Sequence, residues 1–356
     1  MNDHNLAWSE VFAHHFESYR QESLAAGLIT LEHKQLYMVA TEDHGEIPAV
    51  VTGKLLHDAH TRESLPVVGD WVLIRIAGAP EPRATIHAVV PRVSKFSRQA
   101  PGRNGGEQVV AANLDIAFLL TGLDGNYNVR RIERLLLQTQ ASHARPVVIL
   151  TKADLRPDLE PCLSEVRAVV GEAPVHAIST LTGVGLPDLA TYLQPAVTVA
   201  LIGSSGVGKS TLLNHLLGNE AMRTQTVRSA DSRGRHTTSH RQLFLLPSGA
   251  ALMDTPGMRE LQLWGDEERL PETFPEIEKL AARCRFGDCR HAGEPACAVQ
   301  KALQTGDLDP ARFANYQKLQ GELQHLAAKT DRAEAQVINR KWKQIAKTAK
   351  AINKLR

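Results

Sequence analysis

The chain contains the stretch Gly203-Ser204-Ser205-Gly206-Val207-Gly208-Lys209-Ser210-Thr211, whose first eight residues fit the phosphate-loop pattern G-x-x-x-x-G-K-[ST] at every fixed position. An apolar run, Val197 to Ile202, precedes it, and leucines at helical spacing follow it. Backbone N–H groups of such a loop surround phosphate oxygens at a helix N-terminus. Lys209 would reach the β and γ phosphates, and the Ser210 hydroxyl would bind Mg²⁺. The stretch therefore predicts a nucleotide site that uses Mg²⁺.

A second motif, Asp254-Thr255-Pro256-Gly257, follows another apolar strand. Asp254 in that place can hold the Mg²⁺ shell through water, and the Gly257 N–H can meet a γ-phosphate. Alone the four residues would equally fit a type I or II turn, but downstream of a phosphate loop they indicate a nucleotide site.

A third motif, Thr151-Lys152-Ala153-Asp154, indicates which base is bound. The Asp154 carboxylate can accept from both N1–H and the N2 amine of guanine, while Lys152 lies along the base plane. Ser179 and Thr180, after the next strand, are expected to offer backbone donors to guanine O6. Alone this motif fits a solvated loop, but in combination the three motifs favour GTP over ATP.

The order of these motifs is unusual. In a Ras-like GTPase the phosphate loop comes first, whereas here both base-reading segments precede Gly203. A sheet that gathers all motifs at one edge keeps the same pocket when the chain is cut and rejoined elsewhere. Residues 106–270 are therefore predicted to form a circularly permuted P-loop GTPase domain, a mainly parallel sheet with helices on both faces.

Strands and helices are expected to alternate through this domain. The expected helices are Arg130–Gln140, Leu159–Val170 and Leu186–Leu193, and the expected strands are Asp115–Thr121, Val147–Leu150, Val175–Ile178, Gln242–Leu246 and Ala250–Met253.

Residues 35–105 are expected to form a small barrel of about five short strands. Strands are predicted at Leu36–Ala40, Ile47–Leu56, Trp71–Ile76 and Ala84–Val90, before a flexible linker at 101–106. The pattern favours an OB-fold but leaves an SH3-like barrel open. Residues 1–34 are predicted to be an extension with a weak helical pattern from Trp8 to Ala26, to which no function is assigned.

Three of the four cysteines are clustered in the pattern Cys284-x₄-Cys289-x-His291-x₅-Cys297. Three thiolates and one imidazole complete a tetrahedral Zn²⁺ shell, which leaves no position for water. We expect one structural zinc ion in an α-helical domain over residues 271–330. Asp309 and Pro310 start a helix whose apolar stripe begins at Phe313, and packing is the favoured role of that stripe.

The net charge of +2 is unevenly distributed. The C-terminal tail, residues 331–356, holds eight Lys or Arg against Asp331 and Glu334, which favours RNA binding, although a solvated helix end has a similar composition. The sequence shows neither an apolar stretch of membrane-spanning length nor a signal-peptide pattern. A cytoplasmic protein without a membrane partner is expected.

These motifs together resemble the ribosome small subunit-dependent GTPase A (RsgA) family of circularly permuted GTPases. The resemblance runs from about 35 to 325 and includes Val67-Val68-Gly69-Asp70, the permuted motif order, Gly234-Arg235-His236-Thr237-Thr238 and the cysteine–histidine spacing. It implies an OB-fold, a permuted GTPase domain and a zinc-binding domain. It also implies a monomer that binds GTP or GDP and acts on the small ribosomal subunit and its rRNA late in assembly.

Two positions depart from the wider GTPase pattern. Thr151 replaces the usual asparagine, which removes an amide that braces the phosphate loop. Met258 follows Gly257 where Ras-like enzymes have the glutamine that orients water, so His236 becomes the candidate catalytic residue. A role of His236 in contacting RNA or solvent is equally open. Thr237 or Thr238 is the further candidate ligand of Mg²⁺.

Two other functions compete with a subunit-stimulated GTPase. One is an RNA-binding protein in which nucleotide is a structural ligand and turnover is vestigial, which the intact Lys209, Ser210 and Asp254 oppose. The other is a metal-delivery GTPase, which the closed four-ligand spacing opposes.

Overall fold

The computed structural model describes residues 24–33, 36–59, 62–78, 80–99, 107–218, 241–254 and 269–328. These residues form two compact units. The first holds the described residues up to 97 and from 109 to 254, and the second holds those from 269 to 328 with 98–99 and 107–108. The helical pattern from Trp8, the linker at 101–106, residues 234–238 and 255–258 and the basic tail lie outside the described residues.

The first unit begins with a five-stranded barrel. Its strands are β1 (Ala25–His33), β2 (Leu36–Thr41), β3 (Gly45–Val51), β4 (Trp71–Ala77) and β5 (Arg83–Val89). They pair in the order β1-β2-β3-β5-β4, and β4 also pairs with β1, which closes the barrel. A short helix, α1 (Gly53–Asp58), connects β3 to β4. This is the OB-fold, so the SH3-like alternative is excluded.

The barrel differs from the prediction at two places. Strand β1 lies within residues 1–34, which were predicted to be an extension; its buried residues need β2 and β4 as partners, and no local pattern shows that pairing. The single strand predicted over Ile47–Leu56 ends at Val51. There Thr52 caps α1, because its Oγ1 accepts a hydrogen bond from the Leu55 N–H at 3.3 Å.

The second part of the first unit is a parallel sheet. After a two-stranded sheet of β6 (Lys95–Gln99) and β7 (Glu107–Ala112) come β8 (Ile116–Gly122), β9 (Arg145–Thr151), β10 (Val175–Ala177), β11 (Thr198–Gly203), β12 (Arg241–Leu245) and β13 (Ala251–Asp254). Strands β10-β9-β8-β11-β13 are parallel in that order, and β12 is antiparallel to β13.

Helical segments cover both faces of this sheet, as predicted. Helices α2 (Val129–Ala141) and α3 (Glu160–Val170) pack on one face. On the other lie the 3₁₀ segment Pro187–Tyr192, which replaces the predicted α-helix at 186–193, and helix α4 over residues 209–218.

The barrel and the parallel sheet are continuous. Strand β1 pairs with β12, where Leu31 faces Gln242, so eleven strands form one sheet. The turn before β4 also packs closely against the end of β7: Gly69 has φ of 91°, and a Cβ there would lie 2.2 Å from the Ala112 carbonyl oxygen. The buried Asp70 carboxylate accepts two hydrogen bonds from Arg92, both at 2.7 Å. Burial raises the pKa of Asp70, and the hydrogen bonds from Arg92 oppose that shift.

The second unit is helical. It contains α5 (Leu270–Thr273), α6 (Pro275–Ala281), α7 (Ala298–Thr305) and α8 over residues 310–328. Asp309 caps α8 as predicted, because its carboxylate accepts the N–H groups of Ala311 and Arg312 at 2.9 and 3.2 Å. The stripe residues Phe313, Tyr316, Leu319 and Leu323 are buried, which confirms their packing role. Among the described helices of both units, none combines the length and apolar character needed to cross a bilayer.

Candidate nucleotide site and metal centre

The predicted nucleotide motifs meet at one edge of the parallel sheet. Gly203 ends β11, Thr151 ends β9 and Asp254 ends β13. The strands are in register there: Gly122 at the end of β8 faces Thr151, and Leu201 faces Asp254. Because parallel strands present their carboxyl ends together, segments scattered from 151 to 254 converge. The permuted order therefore does not separate them.

The phosphate loop has the backbone that its glycines predict. A Cβ on Gly203 would lie 2.6 Å from the Leu120 carbonyl oxygen, so only glycine fits there. Gly206 and Gly208 have φ of 74° and 104°, in the left-handed region that favours glycine. Lys209 Nζ donates to the Gly203 and Ser204 carbonyl oxygens at 2.6 and 2.7 Å. The loop thus carries a cation at the N-terminus of α4, where the helix dipole also favours an anion.

Thr151 braces this loop with its hydroxyl. Its buried Oγ1 donates to the Val207 carbonyl oxygen at 2.6 Å. The expected loss of a brace, inferred from the missing asparagine amide, is therefore wrong for this chain. The shorter hydroxyl thus reaches a main-chain carbonyl of the phosphate loop directly.

This brace gives a first prediction. Thr151→Val keeps the side-chain shape but leaves the buried Val207 carbonyl without its donor, so we expect a loss of about 1–3 kcal/mol in the free energy of unfolding or of nucleotide binding. Urea unfolding with and without GDP measures both. Thr151→Ser, which keeps the hydroxyl, is the control and should stay close to the unmodified protein. Equal behaviour of the valine and serine variants would contradict the brace.

The base-reading carboxylate is oriented by Ser179. The Ser179 hydroxyl donates to Asp154 Oδ1 at 2.5 Å. The Ser179 Oγ in turn accepts the N–H groups of Leu181 and Thr182, both at 3.2 Å. The Ser179 N–H itself donates to the Val184 carbonyl oxygen at 3.0 Å. The Ser179 N–H is therefore already used within this turn, which contradicts its predicted role as a backbone donor to guanine O6; for Thr180 that role stays a prediction.

Two residues at this edge were not identified from the sequence. Asp124 Oδ2 accepts from Lys152 Nζ at 2.5 Å, and Arg131 Nη1 lies 3.4 Å from Ser204 Oγ in the phosphate loop. Asp124 lies two residues beyond the end of β8, so the rule that ligands collect at strand ends could have indicated it. Arg131 follows the N-cap of α2 and carries no such signal.

Four residues of the second unit form a separate candidate metal centre. One ligand atom from each of Cys284, Cys289, His291 and Cys297 lies within 4.8 Å of the other three. Cys284 Sγ lies 3.6 Å from His291 Nδ1 and 3.8 Å from Cys297 Sγ, and His291 Nδ1 lies 3.4 Å from Cys297 Sγ. Tetrahedral zinc with ordinary bond lengths requires ligand separations of roughly 3.5–3.8 Å. The donor set and its spacing fit Zn²⁺.

Neighbouring groups hold these ligands in place. Cys297 is the N-cap of α7, and its Sγ accepts from the Gln300 N–H at 3.4 Å. The Gln300 side chain donates to the His291 carbonyl oxygen. The Phe313 ring lies 6.3 Å from the His291 ring in an edge-on arrangement. A helix N-terminus favours the charge of a thiolate, so α7 suits a metal-bound Cys297.

Several predicted site residues lie outside the described part of the chain. These are Gly257, His236, Thr237 and Thr238, together with Met258. Their roles in hydrolysis and in binding Mg²⁺ stay predictions.

Comparisons with known proteins agree with this geometry. Residues 89–264 match the family model of the RsgA GTPase. A small ribosomal subunit biogenesis GTPase RsgA from Opitutus terrae is 48% identical over 351 residues, which is 96% of this chain and 95% of that protein. The protein of the same name from Syntrophotalea carbinolica is 40% identical over 358 residues, 98% of this chain and 97% of that protein.

Solved structures show the same architecture. The crystal structure of YjeQ from Thermotoga maritima covers 84% of this chain and 98% of its own, with a TM-score of 0.63 and 25% sequence identity. That of YloQ, a circularly permuted GTPase, covers 85% of this chain and 96% of its own, with a TM-score of 0.61 and 24% identity. The permuted GTPase fold predicted from the motif order is confirmed.

Proposed function

Because the chain belongs to the RsgA family of GTPases, we propose that it binds the small ribosomal subunit during late maturation and hydrolyses GTP to GDP and phosphate there, with stimulation by the subunit. The observation that carries the proposal is the convergence of phosphate loop, base-reading turn and Asp254 at one sheet edge. The OB-fold barrel supports an RNA-containing partner, since this fold commonly binds oligonucleotides.

Each residue of the nucleotide site would have a separate role in binding or hydrolysis. Lys209 would neutralise charge on the β and γ phosphates, and Ser210 and Asp254 would hold Mg²⁺, whose positive charge stabilises the transferring phosphoryl group. Asp154 and Lys152 would read guanine. His236 is the proposed water-positioning residue and Thr237 or Thr238 the proposed further Mg²⁺ ligand. Subunit binding would bring these three residues to the nucleotide, which accounts for stimulation.

The zinc ion and the basic tail would both contribute to RNA binding. One structural Zn²⁺ at Cys284, Cys289, His291 and Cys297 would hold the helical unit in shape, and the basic tail would contact rRNA phosphates. We propose that the protein acts as a monomer in the cytoplasm. Loss of the γ-phosphate would release the segment after Asp254, which is continuous in sequence with the helical unit, and so loosen the complex.

The experiment that tests this function compares GTP turnover with and without purified small ribosomal subunits. Intrinsic turnover should be slow, on the order of the unassisted Ras rate, because Met258 cannot orient water. Small subunits should raise it strongly, and large subunits serve as the control. A non-hydrolysable GTP analogue should hold the protein on small subunits, and GDP should release it. Lack of stimulation by small subunits, mature or immature, would overturn the proposal.

The same assay separates the alternative functions. An RNA-binding protein with vestigial turnover would bind subunits in both nucleotide states and hydrolyse GTP no faster on them. A metal-delivery GTPase would release zinc on nucleotide exchange, which a chromogenic chelator in the reaction would detect.

Truncation after Thr330 tests the tail separately. The tail carries eight Lys or Arg, so its removal should weaken subunit binding and flatten the dependence of affinity on salt, because fewer counterions are released from rRNA phosphates. Sedimentation with small subunits over a salt series measures this slope. GDP affinity of the truncated protein is the control and should be unchanged. An unchanged salt slope would show that the tail is a solvated helix end.

A further inference from the structure

Asp124 and Lys152 form a clasp against the phosphate loop. Lys152 Nζ donates to Asp124 Oδ2 at 2.5 Å and to the Gly206 carbonyl oxygen at 2.8 Å. Two acceptors on different segments therefore hold one ammonium group. The hydrogen bond from Lys152 lowers the pKa of Asp124, so the Asp124 carboxylate stays ionised at neutral pH.

The Lys152 side chain depends on this clasp for its position. Lys152 is in the left-handed region, with φ of 61° and ψ of 40°, at the start of the 3₁₀ turn Ala153–Leu155 that carries Asp154. Its side chain is only partly buried, with 33% exposed, so packing alone does not fix a chain with four rotatable bonds. The two hydrogen bonds at Nζ fix its far end instead.

The segment that carries Asp124 is itself tied down. The Leu123 N–H donates to the Thr151 carbonyl oxygen at 2.9 Å, and Arg156 Nε donates to the Leu123 carbonyl oxygen at 3.1 Å. Tyr127 Oη donates to Glu165 on α3 at 2.8 Å. Asp124 is thus a fixed acceptor, because its segment is attached on one side to residues that flank the turn and on the other side to α3.

We propose that Asp124 is a positioning residue for guanine-nucleotide binding. It holds the Lys152 side chain extended, so that the methylene carbons of Lys152 form a flat surface, the platform, against which the base packs. Asp124 also accepts a hydrogen bond from the Lys152 ammonium group, so this cation does not form an ion pair with Asp154, two residues further along the chain. The Asp154 carboxylate thereby stays available to the N1–H and N2 amine of guanine. The inference rests on the guanine site of the proposed function and adds to it a residue outside the motifs identified from the sequence.

The test compares GDP and pyrophosphate affinities of the full-length chain without ribosomal subunits. Asp124→Ala should weaken GDP binding about tenfold, since one charge-assisted hydrogen bond to the platform is lost. Pyrophosphate with Mg²⁺ contacts the phosphate loop and not the platform, so its affinity should be unchanged. Asp124→Asn, which keeps a neutral acceptor, should fall between. Glu160→Ala removes the carboxylate of an exposed ion pair on α3 and is the matched control.

A double-mutant cycle gives the second readout. Once Lys152→Ala has removed the ammonium, adding Asp124→Ala should cost nothing further in GDP affinity. Three results would overturn the inference: unchanged GDP affinity in Asp124→Ala, equal weakening of GDP and pyrophosphate, or additive effects of the two substitutions. Failure of the unmodified protein to bind GDP would instead contradict the proposed function.

Discussion

Asp154→Asn is expected to convert the base preference from guanine to xanthine. A carboxylate accepts from guanine N1–H and N2–H₂, while an amide nitrogen can donate to the C2 carbonyl of xanthine. Two hydrogen bonds to a charged group at about 1.5–3 kcal/mol each correspond to a loss of ~10²–10⁴-fold in GDP affinity. XDP affinity should rise until it exceeds that for GDP. Competition of the two nucleotides against a fluorescent nucleotide measures the reversal.

The structure explains why the new amide should point the right way. The Ser179 oxygen already accepts two N–H groups, from Leu181 and Thr182, so its proton is directed to residue 154. In the variant the amide oxygen should therefore take the place of Oδ1, and the amide NH₂ should face the base. Adding Ser179→Ala should remove this orientation and blunt the gain in XDP affinity.

Two controls keep this experiment interpretable. Asp188→Asn changes an exposed aspartate on the nearby 3₁₀ segment and should leave both affinities alone. ATP affinity should be low in every variant, because adenine lacks the donor pair. Equal GDP and ATP affinity in the unmodified protein would refute the role of Asp154, as would an asparagine variant that still prefers GDP.

The sheet and its site were predictable because their signals are local. A glycine loop after an apolar strand specifies the turn at Gly203, and the ends of neighbouring parallel strands specify where Thr151 and Asp254 lie. The metal ligands were predictable for the same reason: four donors within fourteen residues have few other ways to be satisfied.

The features that escaped prediction depend on pairing between distant segments. Strand β1 has an apolar pattern whose meaning appears only once β2, β4 and β12 lie beside it. The Thr151 hydroxyl replaces an amide because the loop 56 residues away comes within hydrogen-bond distance. Asp124 finds its partner 28 residues away. Secondary-structure propensity and motif spacing do not indicate which distant segments of the chain come into contact in the fold.

Removal of a metal ligand is expected to have the largest effect on stability. The described residues of the second unit are few, and their core rests on residues such as Phe274, Ile277 and Val299, which are fully buried. Small units of this size commonly need a metal or a disulfide to fold. Between Cys284 and Cys297 the chain makes no helix or strand, so the ligands themselves hold this segment.

Cys289→Ser should therefore lose the zinc and most of the stability of the helical unit, since structural zinc contributes apparent binding energies of about 10–16 kcal/mol in small zinc domains. Elemental analysis should give about one Zn²⁺ per unmodified chain and much less in the variant. Limited proteolysis should then cut beyond about residue 275. Cys162→Ser changes the fourth cysteine, which lies on α3 outside the cluster, and should behave like the unmodified protein.

The two units should respond differently to this loss. The nucleotide motifs lie in the first unit, so Cys289→Ser should retain GDP affinity while small-subunit binding falls. Cobalt added to metal-free protein should give the intense visible absorption of a tetrahedral thiolate site, and Cys289→Ser should not. Native protein without zinc, or a Cys289→Ser variant with full zinc content and unchanged proteolysis, would show that the four side chains meet for packing alone. A parallel loss of GDP affinity would show instead that the metal stabilises the nucleotide unit.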